Sequence, residues 1–335
     1  MQQKKVLILT DHKNHSAENS LYELALQMLL HEQTLSVDIA SRVTANNSKF
    51  FDYMDNTLLF ATAIDESFAF RAEDHPLSKN FREVDISTYD LVWLRLPPPL
   101  SEAALNFYGK VFSEAIVINE PRSIHETGSK EFLINFPSVS PPMKICRYLE
   151  DIMAFKDLFP IVLKPFNEYG GKGILKIKDG VVSSGNQNIS FEIFSDNYQQ
   201  KPIDYLAVKY LKNVDQGDKR IVVVNGEILG ASLRLPAEDS WLCNVAMGGT
   251  SHIAKVETRE EEIIRLINPT LSEKGIVMYG VDTLVGDDGQ RVLSEINTTS
   301  IGGLPQIAKM NNLPLVEKAI DLIWAYYNDK MNENG

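Results

Sequence analysis

Asp282, Glu295 and Asn297 are three polar residues that interrupt otherwise apolar strands in the stretch Ile276 to Thr299. The stretch reads as two strands around a Gly286-Asp287-Asp288-Gly289 turn, and Asp288-Gly289 is a strong hairpin signal. A two-residue turn at Asp288-Gly289 sets Asp282 directly opposite Glu295. A four-residue loop, Gly286 to Gly289, makes the pair diagonal. Both registers keep Asp282, Glu295 and Asn297 on one face, because strand side chains alternate. Cβ atoms in such pairs lie roughly 4.5–8 Å apart. That spacing suits a hard cation, and Mg²⁺ takes one or two carboxylates plus substrate phosphates. The competing reading is a solvated face of an edge hairpin.

A phosphate partner can be sought upstream. Lys164 sits near the end of an apolar run, Ile161 to Phe166, and the loop Asn167 to Gly173 follows. Gly170, Gly171 and Gly173 allow close backbone approach and N–H groups aimed at phosphate, and Lys172 adds charge. An ordinary glycine-rich hairpin is the alternative. Arg220 and Arg234 lie on the two arms of a hairpin turning at Asn225-Gly226. With a two-residue turn, Arg220 opposes Ala231 and the two arginines point to opposite faces. A bulge or an odd-length loop brings them to one face. Converged on Asp282 and Glu295, they would form the mixed charge site that neutralises a transferring phosphoryl group. Arg95 ends a strand just before Pro97-Pro98-Pro99, at the carboxyl end where open α/β sheets bind ligands. An arginine there suits a substrate carboxylate.

These residues need elements to hold them. Val6 to Leu9 and Ser36 to Ala40 read as strands around a helix, Ser20 to Leu30, with a Ser20–Glu23 capping box. The β-α-β order predicts a parallel sheet covered by helices. Residues 45 to 85 carry no clear pattern. Tyr89 to Leu96 is a strand, Ser101 to Phe112 a helix and Ala115 to Asn119 a strand, closing a first α/β domain over 1–120. Pro121 to Pro142 reads as a connector with a short helix, Gly128 to Phe136, that carries Lys130. Strands then dominate, including Ile174 to Lys178 and Tyr205 to Leu211, with a helix at Thr258 to Leu271 capped by Thr258 and Glu261. A final helix covers Leu315 to Tyr327, and the polar tail beyond it is expected to fray.

The chain has 335 residues, 44% hydrophobic and 23% charged, which is enough for two or three domains. A net charge of −12 argues against a nucleic-acid backbone or an anionic membrane as partner. Cys146 and Cys243 are the only cysteines and lie in no C-x-x-C motif, and no long apolar span occurs. The expectation is a cytoplasmic protein. Walker A, G-x-G-x-x-G, H-E-x-x-H and G-x-S-x-G motifs are absent, and the six histidines are scattered, so no histidine metal site is expected.

The ordered set of Lys130, LKPF with Lys164, YGGKG, GDKR, Asp282 and SEIN resembles the ATP-grasp superfamily, and most closely the bacterial glutathione synthetases. The likeness runs from about Arg95 to Asn297. It implies an α/β fold, α+β in places, with an N-terminal parallel α/β domain, a central lid domain over 121–204 and a C-terminal antiparallel-sheet domain over 205–335. By that resemblance Lys130 and Lys164 contact ATP phosphates, and Gly170, Gly171 and Gly173 form the closing loop. Lys209, Tyr210 and Leu211 form the adenine-binding hinge strand, and Asp218 takes a ribose-side position. Arg220 and Arg234 serve the acyl-phosphate site, while Asp282, Glu295 and Asn297 hold Mg²⁺ or Mn²⁺. Arg95 and Asn244 fall at the peptide-substrate site.

The implied reaction is ATP-dependent amide formation through an acyl phosphate, joining γ-glutamylcysteine and glycine in a homo-oligomeric enzyme. Substrates are small molecules or dipeptides. Leu242-Cys243, Thr250 and Ile301 to Pro305 depart from the family's arginine-bearing pattern. Another ATP-grasp ligase with a different acceptor, or a nucleotide-binding protein without ligase activity, are the alternatives.

Overall fold

The computed structural model describes residues 2–55, 58–166, 171–185, 187–236 and 250–334. Apolar runs in the first part form β1 (Lys4–Thr10), β2 (Thr34–Ser41), β3 (Leu59–Ala63), β4 (Phe81–Val84), β5 (Leu91–Arg95) and β6 (Ile116–Ile118). They make one sheet in the order β4-β3-β2-β1-β5-β6. Strands β2, β1, β5 and β6 run parallel, and β3 and β4 add an antiparallel edge. The patternless 45–85 stretch is therefore an edge: β4 has one buried residue in four, so it shows no clean alternation. The helices of this part are α1 (Leu21–Leu30), α2 (Ser48–Phe51), α3 (Glu102–Val111) and α4 (Pro121–Thr127). Helix α4 lies in the expected connector; Pro121 opens it at a position that needs no N–H.

The expected Ser20–Glu23 capping box does not form. Ser20 is itself helical, and its hydroxyl accepts from Arg95 and donates to the carbonyl of Ile301.

The second sheet contains β7 (Met143–Cys146), β8 (Ile161–Pro165), β9 (Leu175–Lys178), β10 (Val181–Ser184), β11 (Gln187–Ser190) and β12 (Tyr205–Lys209). Its order is β11-β10-β9-β8-β12-β7, with antiparallel neighbours. Helices α5 (Leu149–Lys156) and α6 (Phe191–Gln200) bury Ile152, Phe155, Phe194 and Tyr198 in its small core.

The third sheet contains β13 (Asp218–Val224), β14 (Glu227–Leu235), β15 (Thr250–Ala254), β16 (Met278–Val285) and β17 (Arg291–Asn297), antiparallel in the order β15-β14-β13-β16-β17. Helix α7 (Thr258–Glu273) sets Ile263, Ile264 and Ile267 in one core with Ile221, Val223, Tyr279 and Val281. Helices α8 (Leu304–Asn311) and α9 (Leu315–Asn334) pack with Val222, Val224 and Leu229 on the opposite face.

Three boundaries differ from expectation. The α7 capping box is Glu257–Glu260, one residue earlier than Thr258–Glu261. The cause is burial: Glu260 is fully buried, bonded to Lys219 and Thr283 at 2.7 and 2.6 Å. Helix α8 begins inside the Ile301–Pro305 stretch, and α9 continues past Tyr327 to Asn334.

Candidate active site

Two one-residue bulges assemble the charged cluster. In the β13–β14 hairpin Val223 pairs with Ile228 but Val222 pairs with Gly230, leaving Leu229 extra. The shift sets Arg220 opposite Ser232 and Asp218 opposite Arg234. Side chains alternate along a strand, so this single residue turns Arg220 and Arg234 to the same face. It settles the choice that the sequence leaves open.

In the β16–β17 hairpin Asp282 pairs with Glu295 but Thr283 pairs with Leu293, leaving Ser294 extra. The connecting loop runs from Gly286 to Gln290, longer than either expected turn, and the bulge restores the direct Asp282–Glu295 pairing. Asn297 lies two residues on, opposite Gly280. A side chain at Gly280 would press on Arg220 Cδ at 3.0 Å, so glycine makes room for the arginine.

Arg220 also pairs with Asp282 across β13 and β16. Ser232, Arg220, Asp282 and Glu295 thus form a row across four strands. Arg220 grips Asp282 through Nε and through Nη2, the latter at 2.8 Å. Arg234 donates to both oxygens of Asp218 at 2.7 and 2.6 Å, and its Nη2 lies 2.9 Å from Asp282. Asn297 donates to Asp282 at 3.3 Å. From the second sheet, Lys164 Nζ reaches the carbonyl and hydroxyl of the bulged Ser294, both at 3.4 Å.

Burial would push the Asp282 carboxyl up, but Arg220 and Arg234 hold it well below the usual carboxylate range. Burial and the neighbouring Asp282 push Asp218 up to about 6, against the pull of Arg234. Burial disfavours the Arg234 cation, yet Asp282 and Asp218 outweigh it and raise its pKa. Burial lowers the Lys164 pKa, with Glu295 and Asp282 opposing the shift.

These groups face a cavity of about 980 Å³ between the three sheets. Lys164, Gly171, Lys209, Tyr210, Leu211, Asp218, Arg220, Arg234, Asp282, Glu295 and Asn297 all line it. Gly171 and Gly173 take positive φ of 81° and 68°, the backbone geometry expected of a glycine loop. Lys130 is buried in a 3₁₀ segment, Lys130–Asn135; it is its neighbours Gly128 and Ser129 that reach the cavity. Gly170 and Asn244, with Leu242-Cys243, lie outside the described residues.

Arg95 ends β5 as expected, but it is not among the residues that line the cavity. Its side chain is buried, only 3% exposed, donating to Ser20 Oγ at 2.8 Å and the Ile301 carbonyl at 2.7 Å. Asn119, just past β6, works beside it: its amide donates to the carbonyls of Met278 and Thr298 and accepts from the N–H groups of Val277 and Met278. Both residues fix the backbone of the Thr298–Ile301 segment that forms part of the cavity wall. Asn119 was readable only as the end of a strand.

The histidines are less scattered than the sequence suggests. His12 stacks on His75 at 4.5 Å, and Tyr22 bridges His75 and His15 at 2.9 and 3.0 Å. The Leu77 N–H donates to His75 Nδ1, so the His75 proton sits on Nε2 and the Tyr22 hydroxyl donates to His15. Burial, with His75 and His12 nearby, lowers the His15 pKa to about 4. The unfolded chain takes up a proton below about pH 6.5 that folded His15 refuses. Stability should therefore fall as pH drops from about 6.5 to about 4. The melting temperature of His15→Gln should fall less steeply over that range; parallel profiles would refute the assignment.

The family model described as prokaryotic glutathione synthetase, ATP-grasp domain, matches residues 129–312. The chain belongs to that family. The glutathione synthetase of Bradyrhizobium diazoefficiens is 31% identical over 242 residues, covering 71% of this chain and 74% of that protein. Two solved structures share the fold at 13% identity. D-cycloserine synthetase aligns with TM-score 0.62 over 94% of this chain and 99% of that one. D-alanine–D-alanine ligase from Bacillus anthracis, complexed with ATP, aligns with TM-score 0.59 over 99% and 100%.

Membership of the prokaryotic glutathione synthetase family brings use of ATP and of a divalent metal. The donor set fits such a cation. Asp282, Glu295 and Asn297 offer only oxygen ligands on one face. Three such donors are fewer than an octahedral cation takes, which leaves positions for phosphate oxygens and water. Asp282 is already engaged by two arginines, while Glu295 forms no ion pair among the described residues. No described helix is long and apolar enough to cross a membrane.

Proposed function

We propose that this protein is an ATP-dependent carboxylate–amine ligase that joins γ-glutamylcysteine to glycine. The observation that carries the reading is the Arg220–Asp282–Glu295 row facing Lys164 across one cavity, in a chain of this family. The donor carboxylate attacks the γ-phosphate of ATP, releasing ADP and leaving an acyl phosphate. The amine then attacks the acyl carbon, and the tetrahedral intermediate expels phosphate.

Lys164 binds the phosphates from the cavity wall, and Lys130, buried beside the cavity-lining Gly128 and Ser129, is the second lysine that the family resemblance assigns to them. Gly170, Gly171 and Gly173 close over them and exclude water from the acyl phosphate. Lys209, Tyr210 and Leu211 hold the adenine, and Asp218 lies toward the ribose. Arg220 and Arg234 meet the charge that builds on the transferring phosphoryl group and on the intermediate. Asp282, Glu295 and Asn297 would hold Mg²⁺ or Mn²⁺, which supplies charge neutralisation at the phosphates when bound. Asn244 belongs to the substrate side. We take the units as 1–120, 121–204 and 205–335, and the enzyme as cytoplasmic and homo-oligomeric.

Incubation with Mg²⁺-ATP, γ-glutamylcysteine and glycine should release ADP together with a product of the tripeptide's mass. ADP with a different acid and amine pair only would select another substrate, consistent with the altered Ile301–Pro305 stretch. No ADP with any of a broad panel of pairs would overturn the ligase reading.

A further inference from the structure

The first sheet and its helices also line the cavity. They carry two charges that the family resemblance does not assign. Arg42 follows β2 at the carboxyl end of a parallel strand, where such sheets bind ligands. Asp52 follows α2, and both side chains line the cavity with Tyr108 of α3.

Arg42 is ion-paired with Asp11 and still leaves its outer edge open. Its Nε donates to Asp11 at 2.5 Å and its Nη2 to the Pro97 carbonyl at 3.4 Å. Nη1 has no partner among the described residues, and the side chain is 28% exposed. The terminal edge of the guanidinium is thus open to a carboxylate, the geometry in which arginine binds bidentately. Asp52 is exposed and forms no ion pair among the described residues. Arg42 and Asp52 do not pair with each other, yet both act on one hydroxyl. Burial pushes Tyr108 up to about 12, with Arg42 pulling it down and Asp52 pushing it up. Arg42 keeps one guanidinium edge open and Asp52 has no ion pair among the described residues, so two opposite charges that line one cavity match a ligand that carries both signs. An α-amino-acid head is such a ligand.

We propose that Arg42 and Asp52 form an α-amino-acid subsite, Arg42 binding the α-carboxylate of the γ-glutamyl head and Asp52 its ammonium. The proposal rests on the ligase reading above and names how the acid substrate is held. In γ-glutamylcysteine the reacting carboxylate and the amino-acid head lie at opposite ends. The molecule can therefore present one end to Arg220 and Arg234 and the other to Arg42. Arg95, buried and bonded to Ser20 and Ile301, is not available for this role.

Steady-state kinetics with substrate analogues test the subsite. Arg42→Gln should raise KM for γ-glutamylcysteine about 10- to 100-fold, the range for a lost charge-assisted contact. It should leave KM for ATP unchanged, and should leave unchanged the KM for 4-aminobutyryl-cysteine, which lacks the α-carboxylate. Asp52→Asn, at an exposed position, should weaken γ-glutamylcysteine similarly but not glutaryl-cysteine, which lacks the ammonium. KM values within twofold of wild type in both variants, or equal losses on full substrate and matching analogue, would overturn the subsite. Wild-type turnover reports separately on the ligase reading. If turnover is absent, calorimetric titration of γ-glutamylcysteine still decides: tenfold weaker binding to Asp52→Asn supports the subsite, while equal binding or none to wild type overturns it.

Discussion

Arg234→Met is expected to lower turnover by about 10²–10³-fold and to destabilise the fold by about 3–5 kcal/mol. Arg234 is the cation shared by Asp218 and Asp282, with contacts of 2.6–2.9 Å to both. Without it two carboxylates remain close together, and Asp218, already pushed up to about 6, keeps a weaker set of partners. Breaking one side of a buried ion pair leaves an uncompensated charge, which costs more than the pair contributes. Neutralising the stranded acid should therefore recover stability. Arg234→Met with Asp218→Asn should melt closer to wild type than Arg234→Met alone, while turnover stays low because the cation at the acyl phosphate is still missing. Equal melting of the single and double variants would refute the shared-cation account. Full turnover in either variant would remove Arg234 from the chemistry.

Glu295→Gln should abolish turnover and leave the melting temperature within about 2 °C of wild type. The substitution keeps shape and removes one negative charge. Asp282 is held by Arg220, Arg234 and Asn297, but Glu295 has no ion pair among the described residues. Its carboxylate is the group in the row left for a cation, so its loss should fall on activity and on the Mg²⁺ concentration dependence. Unchanged activity would remove the metal role; a large drop in melting temperature would show that Glu295 is structural instead. The two variants thus separate a residue that serves both fold and chemistry from one that serves chemistry alone.

Much of this site could be read along the chain. The apolar runs that became β8, β13, β16 and β17 were visible because most of their residues are buried, and the polar residues Lys164, Asp282, Glu295 and Asn297 stood out against them. Their order along the chain was enough to point to the family. Helix ends were less secure, since Ser20 and Glu260 were drawn into tertiary bonds that no local capping pattern reveals. The strand-end rule that selected Arg95 applied equally to Arg42, and only burial separates them.

The sequence by itself determined which residues carry charge, which runs must be buried and where glycines cluster between strands, because composition and period act locally. The tertiary structure alone decided where the charges meet. One extra residue at Leu229 turned Arg220 and Arg234 to the same face, and one at Ser294 restored the Asp282–Glu295 pairing and offered a carbonyl to Lys164. Hairpin register turns on where a bulge falls, which no local residue pattern marks, and a shift of one residue reverses every side chain beyond it.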